Sequence, residues 1–481
     1  MERWPVTTAA LCALLFAAGC TPSTGPDAGP TSTGDRAFTD RPTSPEPASG
    51  PARNLGPPPW VDPPDTQPLV LAVNVRRPPI DVAPRLARRI VRGTVDDWAA
   101  LGQPAGRLTV IRRPADLRNL PAGTLAVVPA SAVGPGVRAV DVGGVDPLRE
   151  PGRYPLTTAA LAPHPEVTTL TVVGDIMLGR GVGARAAAEG DPAYPLGPMR
   201  RRLAAADLTV GNLESTLSTA GPPTQGGDSF AADPAVRAGL RDAGFDAIGL
   251  ANNHIGDFGD AAIVETVQRL RAAGLDTFGA GASPTRARRP VVLERHGVRF
   301  GFLGFNAIGE TPEVAPGQPG AVSVSMPPRT GPLDRAELDR FVDAVRRLDR
   351  RVDVVTVLPH WGTQYTQRPE PIQGAVAGEL VAAGADLVVG GHPHWVQGAS
   401  LRGDALVVHS LGNFVFDMDF MRETREGLVL EAVFWGGELK AAEFVPYVIG
   451  DDFAPRVVSP ERARANLDLF WQFSRIGASP R

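Results

Sequence analysis

From Val167 onward, short apolar runs alternate with longer amphipathic ones, and most of the apolar runs stop at a residue able to bind a metal ion. The runs "VTTLTVVG", "DLTVGN", "FDAIGLA", "VRFGFLGF", "VDVVTVLP", "ADLVVGG" and "ALVVHS" have the texture of strands buried on both faces. Between several of them lie helical segments such as "DAAIVETVQRLRAAG" and "RAELDRFVDAVRRL". The closing "GLVLEAVFWGGELKAAEFVPYVIG" predicts a hairpin turning at Gly436-Gly437. Strand–helix alternation that ends in antiparallel strands predicts an α/β fold with a mixed sheet.

The polar residues at the strand ends form a series: Asp175, then Asn212 and Glu214, then Asn252, Asn253, His254 and Asp257, then His360, then His392 and His394. Four of the seven histidines belong to it. In open α/β sheets the loops at the carboxyl ends of strands converge on the ligand site. Taken singly, each of these residues has an ordinary reading as a turn or core residue, because loops favour Asn, Asp and Gly. The pair His392-Pro393-His394 is more specific, since proline rigidifies the separation of two nitrogen donors. Carboxylate, amide oxygen and imidazole together suit borderline divalent ions such as Zn²⁺, Mn²⁺ or Fe²⁺. A carboxylate can bridge two such ions about 3.5–4 Å apart, the arrangement used for in-line phosphoryl displacement. A histidine beside them can protonate a leaving oxygen.

Composition narrows the alternatives. A net charge of −4 gives no reason to expect a nucleic-acid partner. Lys440 is the chain's one lysine, which excludes Walker-type phosphate loops and lysine Schiff-base chemistry. At the N-terminus, Arg3 precedes an apolar stretch, Val6–Phe16, too short to span a bilayer. It leads into "FAAGC", which resembles a bacterial lipoprotein cleavage site. That resemblance implies residues 1–20 as signal peptide, a lipid on Cys20, export, and residence at the outer face of the cell membrane. A secretory peptide cut near Ala18 is the alternative. With Cys12 removed and Cys20 acylated, no thiol is left for disulfides or metal binding. Residues 21–66 contain twelve prolines and almost no large apolar residues, which predicts a disordered tether. Residues 67–160 regain apolar strands around one helical segment and predict a small α/β domain. There "IVRGTVDDWAALG" is similar to part of a phosphate-type periplasmic binding protein lobe, without a recognisable ligand motif. Residues 451–481 read as a C-terminal tail.

The ordered strings "GDIMLGR", "NLE", "NNHIGDFG", "HWGTQY", "GGHPHW" and "SLGNFVFD" resemble the CapA family of bacterial poly-γ-glutamate capsule synthesis proteins over about residues 167–450. Behind that family stands the calcineurin-like metallophosphoesterase pattern. The resemblance implies a metallophosphatase-like αββα sandwich over 167–450. It implies one or two divalent ions, with Asp175 and His394 on one and Asn253, His360 and His392 on the other. Glu214 stands where the wider superfamily has its bridging aspartate, and His254 matches the general acid. Arg180 is placed to face an anionic group of the substrate. Met177 occupies the position of a superfamily histidine, which implies a first ion weakly held or absent, and Gln364 replaces an expected Glu. "SLGNFVFD" reads as a tight turn at Gly412-Asn413, and His164 and His296 as packing or surface residues. The implied function is a lipid-anchored, metal-dependent hydrolase acting on a phosphoester or an anionic polymer of the capsule or cell envelope. The alternatives are a non-catalytic, polymer-binding scaffold of a capsule synthesis complex, and a ligase joining polymer to wall.

Overall fold

A computed structural model describes residues 68–157, apart from 113 and 115, and residues 166–477. The signal segment with Cys20, the 21–66 tether and His164 lie outside the described residues. Among the described residues no helix is long and apolar enough to cross a membrane.

Two sheets lie face to face. In the eight-stranded sheet, Val167–Ile176 is central, with parallel Leu208–Leu213, Ala247–Gly249 and Asp276–Phe278 on one side. On its other side run the antiparallel strands Glu426–Trp435, Glu438–Ile449 and Pro455–Val457, and short Asn413–Val415 pairs parallel with the carboxyl end of Val167–Ile176. The six-stranded sheet runs in the order Val291–Arg295, Val298–Asn306, Val354–His360, Leu387–Val389, Ala405–Leu411 and Val396–Arg402. Its four inner strands are parallel.

Each strand sends alternate residues to opposite faces, and here both faces are covered. Leu170, Val172, Val210, Phe300, Phe302, Leu387, Val389 and Val408 meet in the core between the sheets. Neighbours in the same strands point outward: Val173 and Ile176 under one helical layer, Phe305, Val355, Val388 and Val407 under the other. The first layer includes Arg180–Glu189, Val236–Asp242 and Gly259–Ala272. The second is Arg335–Asp349 and Pro371–Ala382. The fold is thus an αββα sandwich, and burial on both faces is why its strands read as continuous apolar runs. The predicted hairpin turns at Gly436-Gly437, between Trp435 and Glu438.

Two elements differ from the sequence expectation. The single helical segment in residues 84–101 is broken. A helix Pro84–Val91 ends ahead of Gly93, which has φ 72°, and a 3₁₀ turn Trp98–Leu101 starts where the Asp97 side chain accepts the Ala99 N–H. A left-handed glycine stops the first helix and an acidic cap begins the next. Residues 451–477 are also not a loose tail. They form the strand Pro455–Val457 and the helix Pro460–Phe473, whose Phe470 and Trp471 pack on Phe444 at ring separations of 4.6 and 5.7 Å. Pro460 at the first helical position and the Ser459 side chain accepting the Arg462 N–H initiate that helix.

The small sheet has the order Thr109–Ile111, Thr124–Pro129, Leu69–Asn74, Val137–Ala139. It packs against Val433 and Trp435 of the large sandwich and belongs to the same compact unit. The Trp435 indole donates to the Leu148 carbonyl (2.7 Å), and the Asn74 amide to the Gly477 carbonyl (2.9 Å).

Candidate metal centre

The carboxyl ends of the parallel strands in both sheets bring Asp175, Glu214, Asn253, His254, His360, His392 and His394 into one buried cluster, none more than 5% exposed. Asp175 is held from two directions. One carboxylate oxygen accepts the Asn212 amide (2.8 Å), the other the backbone N–H of His392 (2.9 Å). The second contact needs the loop to press against the strand. A Cβ on Gly391 would lie 2.4 Å from an Asp175 oxygen, and one on Gly390 would lie 2.1 Å from the His409 carbonyl. The two glycines of "GGHPH" are therefore dictated by close approach. His392 and His394 themselves have φ of 92° and 58°, left-handed conformations that cost a non-glycine residue energy and cluster at functional sites. The strand ends at Val389, so the histidine pair is presented by a strained turn rather than by strand alternation.

His394 has a fixed tautomer. The Asn413 amide group donates to the Thr424 carbonyl (3.0 Å), so its oxygen is the atom facing His394 Nδ1 (2.8 Å). Nδ1 therefore carries the proton and Nε2 keeps its lone pair for a cation. Asn413 is thus more than part of a tight turn, although Gly412 beside it does take φ 75°. His360 Nε2 lies 2.9 Å from the Asn253 side-chain oxygen. Two ligands at right angles on an ion with bonds of about 2.1 Å are separated by roughly 3 Å.

Ligand atoms of Glu214, His360 and His392 lie within 4.8 Å of one another, as do those of Asp175, Glu214 and His394. The two sets share Glu214, which lies between them. A test of whether a cation fits comes from the unsatisfied atoms. Both oxygens of Glu214 and both ring nitrogens of His392 are fully buried without a hydrogen-bond partner. Buried polar atoms are almost always partnered, and a divalent ion among these donors would satisfy the Glu214 oxygens and one His392 nitrogen. Acid, amide and imidazole donors fit such an ion.

The electrostatics agree. Burial pushes Glu214 up to about 8, against the pull of His254. Burial, reinforced by the Glu214 charge, pushes Asp175 up to about 6. Burial also lowers His360 to about 4, His394 to about 3, and His392 well below the usual imidazole range. Neutral imidazoles are the form that binds metal, and carboxylates held this reluctantly gain most from a positive charge.

His254 sits at the edge of this cluster. Its Nδ1 donates to Asp257 (2.8 Å), and its Nε2 faces Glu214 at 3.9 Å. Asp257 is fully buried and also accepts the Phe230 N–H and the Gln225 amide, each at 2.6 Å. The Phe230 ring stacks on the imidazole at 3.8 Å. Arg180 lies over the other side of Phe230 at 4.4 Å, and its guanidinium engages Asp417. Its charge is therefore already partnered within the chain. Met177 points into the hydrophobic layer and its sulfur accepts the Gly179 N–H, so it offers no ligand. Gln364 is half-buried in the loop before Tyr365. His296 is exposed and bonded to the Val167 carbonyl, away from the cluster.

Sequence reasoning named Asn212, Asn252 and Asp257 as strand-end residues without giving them roles. Asn252 donates to Asn212 and to the Leu213 carbonyl and accepts the backbone N–H of His254 and Ile255, fixing the loop that carries Asn253 and His254. Asn413 stood in the sequence only as a turn residue and Phe230 gave no signal, because their function depends on contacts distant in sequence.

Residues 169–418, just over half of the chain, match the profile of the family described as bacterial capsule synthesis protein PGA_cap. The chain belongs to this family. It is 33% identical over 282 residues to the capsule biosynthesis protein CapA of Bacillus anthracis, covering 56% of this chain and 66% of that one. It is 28% identical over 283 residues to the PGA biosynthesis protein CapA of Bacillus subtilis (strain 168), covering 55% and 67%. The match thus spans about two thirds of the length of these relatives. Among solved structures, a 5'-nucleotidase from Candida albicans SC5314 aligns with a TM-score of 0.35 and 12% identity, covering 63% of this chain and 56% of that one.

Proposed function

We propose that this capsule-synthesis family member is an exported, lipid-anchored hydrolase that uses divalent metal to cleave a phosphoester or an anionic polymer of the capsule or cell envelope. The observation that carries the reading is the pair of three-residue donor groups sharing Glu214, whose oxygens have no hydrogen-bond partner. A divalent ion pair bound there would supply an activated water and positive charge for the oxygens of the group under attack. The chain's own residues do the rest. Asp175 and Glu214 provide negative charge that keeps cations in place, and Asn413 and Asn212 hold His394 and Asp175 in orientation. His254 presents Nε2 toward the same space. With its Nδ1–H donated to Asp257, the ring is held so that Nε2 can hand a proton to a leaving oxygen. Phe230 covers one face of the imidazole and fixes its plane.

Metal analysis of wild type, His392→Ala, His394→Ala and His254→Ala, with phosphomonoester and phosphodiester assays, tests this reading. The first two variants are expected to lose metal. His254→Ala is expected to keep it and to lose roughly 10²–10⁴-fold in rate, less for a nitrophenolate leaving group. Wild-type metal content in all three variants would remove the centre. Metal-loaded wild type with no hydrolysis would leave the polymer-binding role in a capsule complex and remove the enzyme.

A further inference from the structure

We propose that a groove lined by arginines along the outer edge of the sandwich binds an extended chain of carboxylates carried on an amide backbone. Where the edges of the two sheets meet, Arg271, Asp276, Arg289, Val292 and Arg351 surround a cavity of about 540 Å³. At Pro290 and Arg351 it adjoins a second cavity of about 300 Å³, lined by Arg288, Glu337, Arg340, Asp343 and Arg347 among others. Six arginines thus face three acids in a chain whose net charge is −4. Two of those acids are already engaged: Glu337 accepts the Ser325 N–H (2.6 Å) and Asp343 takes Arg346 (2.8 Å). Arg289, Arg340, Arg347 and Arg351 are exposed, and their guanidinium groups make no ion pair or hydrogen bond among the described residues. Helix Arg335–Asp349 places Arg340 and Arg347 two turns apart on one face.

Three features select the ligand. Unpaired guanidinium groups in a row match anions repeated along a chain, and their forked geometry suits carboxylate. The groove is walled in part by Val291 and Val292, at the start of the edge strand Val291–Arg295 of the six-stranded sheet, with Val292 43% exposed. An edge strand can pair with a ligand's own peptide groups, which favours an amide backbone. The aromatic side chain on the wall, Phe341, is only 6% exposed, so bases of a nucleic acid find no stacking platform. The groove begins at Asp276, at the amino end of its strand, and reaches Ser323, which bridges to Asn306 at the carboxyl end of the adjoining strand. Asn306 is the register partner of His360. A chain lying in the groove therefore runs toward the edge of the metal centre without occupying it. The choice of polymer rests on the capsule-polymer reading above; the groove and its charge do not.

Fluorescence anisotropy of labelled poly-γ-glutamate, titrated with the full-length metal-loaded protein, tests the inference. Each partly exposed arginine–carboxylate pair contributes about 1.4- to 5-fold, so Arg289→Ala/Arg351→Ala and Arg340→Ala/Arg347→Ala are each expected to weaken binding about 2- to 25-fold. Added salt should weaken the wild type and narrow this gap. His392→Ala should bind as the wild type does. Polymer bound equally by wild type and groove variants overturns the groove and leaves the polymer reading standing. No binding by the wild type removes both. Polyphosphate bound as tightly as polyglutamate overturns the carboxylate assignment.

Discussion

Replacing Glu214 with Gln removes one titrating group from the middle of the metal centre while barely changing its shape. In the metal-free protein, the Glu214 carboxyl is fully buried, both oxygens lack partners, and its pKa rises from 4.5 to about 8. The folded state then keeps a proton that the unfolded chain releases. Stability contributed at low pH is lost as pH rises from about 4.5 to about 8, and is level above that. At 1.36 kcal/mol per pH unit, the loss is on the order of 3–5 kcal/mol. Glu214→Gln has no such slope. It retains the smaller one from Asp175, which is itself reduced because the Glu214 charge helps to raise Asp175. Metal-free Glu214→Gln should therefore match the wild type near about pH 4.5 and exceed it by several kcal/mol above about pH 8. A divalent ion offsets this lead. The wild type gains about 4 kcal/mol at a ligand concentration 1,000 times Kd, whereas the variant presents a neutral amide to both donor groups and gains far less. Denaturant unfolding with chelator, and then with Mn²⁺ or Zn²⁺, at both ends of that pH range reads all four states. Buried His360, His392 and His394 add an opposite slope to both proteins, so a difference between wild type and variant that stays flat between those pH values would refute the burial argument. A variant that tracks the wild type with and without metal would refute the shared carboxylate.

Asn413→Ala should cost about 10–100-fold in metal affinity, measured by competition with a chromogenic chelator, because it removes the acceptor that fixes the His394 tautomer. Trp471→Ala should lower unfolding free energy by about 3–5 kcal/mol in thermal or denaturant melts, since this side chain is 6% exposed against Phe444 and Phe470. Loss of less than about 1 kcal/mol would mean that the C-terminal helix does not close the core. Cys20→Ser should leave the protein unprocessed or free of the membrane, read by detergent partitioning and acyl labelling, and normal labelling of the variant would sink the anchor.

The strands and their class were legible in the sequence because burial on both faces of two stacked sheets forces uninterrupted apolar runs, as in "VDVVTVLP" and "ADLVVGG". The residues of the metal cluster were legible for a related reason: parallel strands end on the same side, so polar residues following them in sequence become neighbours in space. The helix Pro460–Phe473 was not legible, because its large apolar residues crowd into the last two turns and mark no single face until Phe444 lies beneath them. The partners that tune the site were hidden as well. Asn413 meets His394, and Phe230 meets His254, across intervening chain that no spacing rule connects. The unpaired arginines of the groove come from the segments around Arg289, Arg340 and Arg351, and only the packing of the Arg335–Asp349 helix beside the edge strand makes them one surface. Sequence by itself determined which residues end the strands. Tertiary structure decided which lone pairs point inward, since tautomer, burial and close approach are set by contacts between segments far apart along the chain.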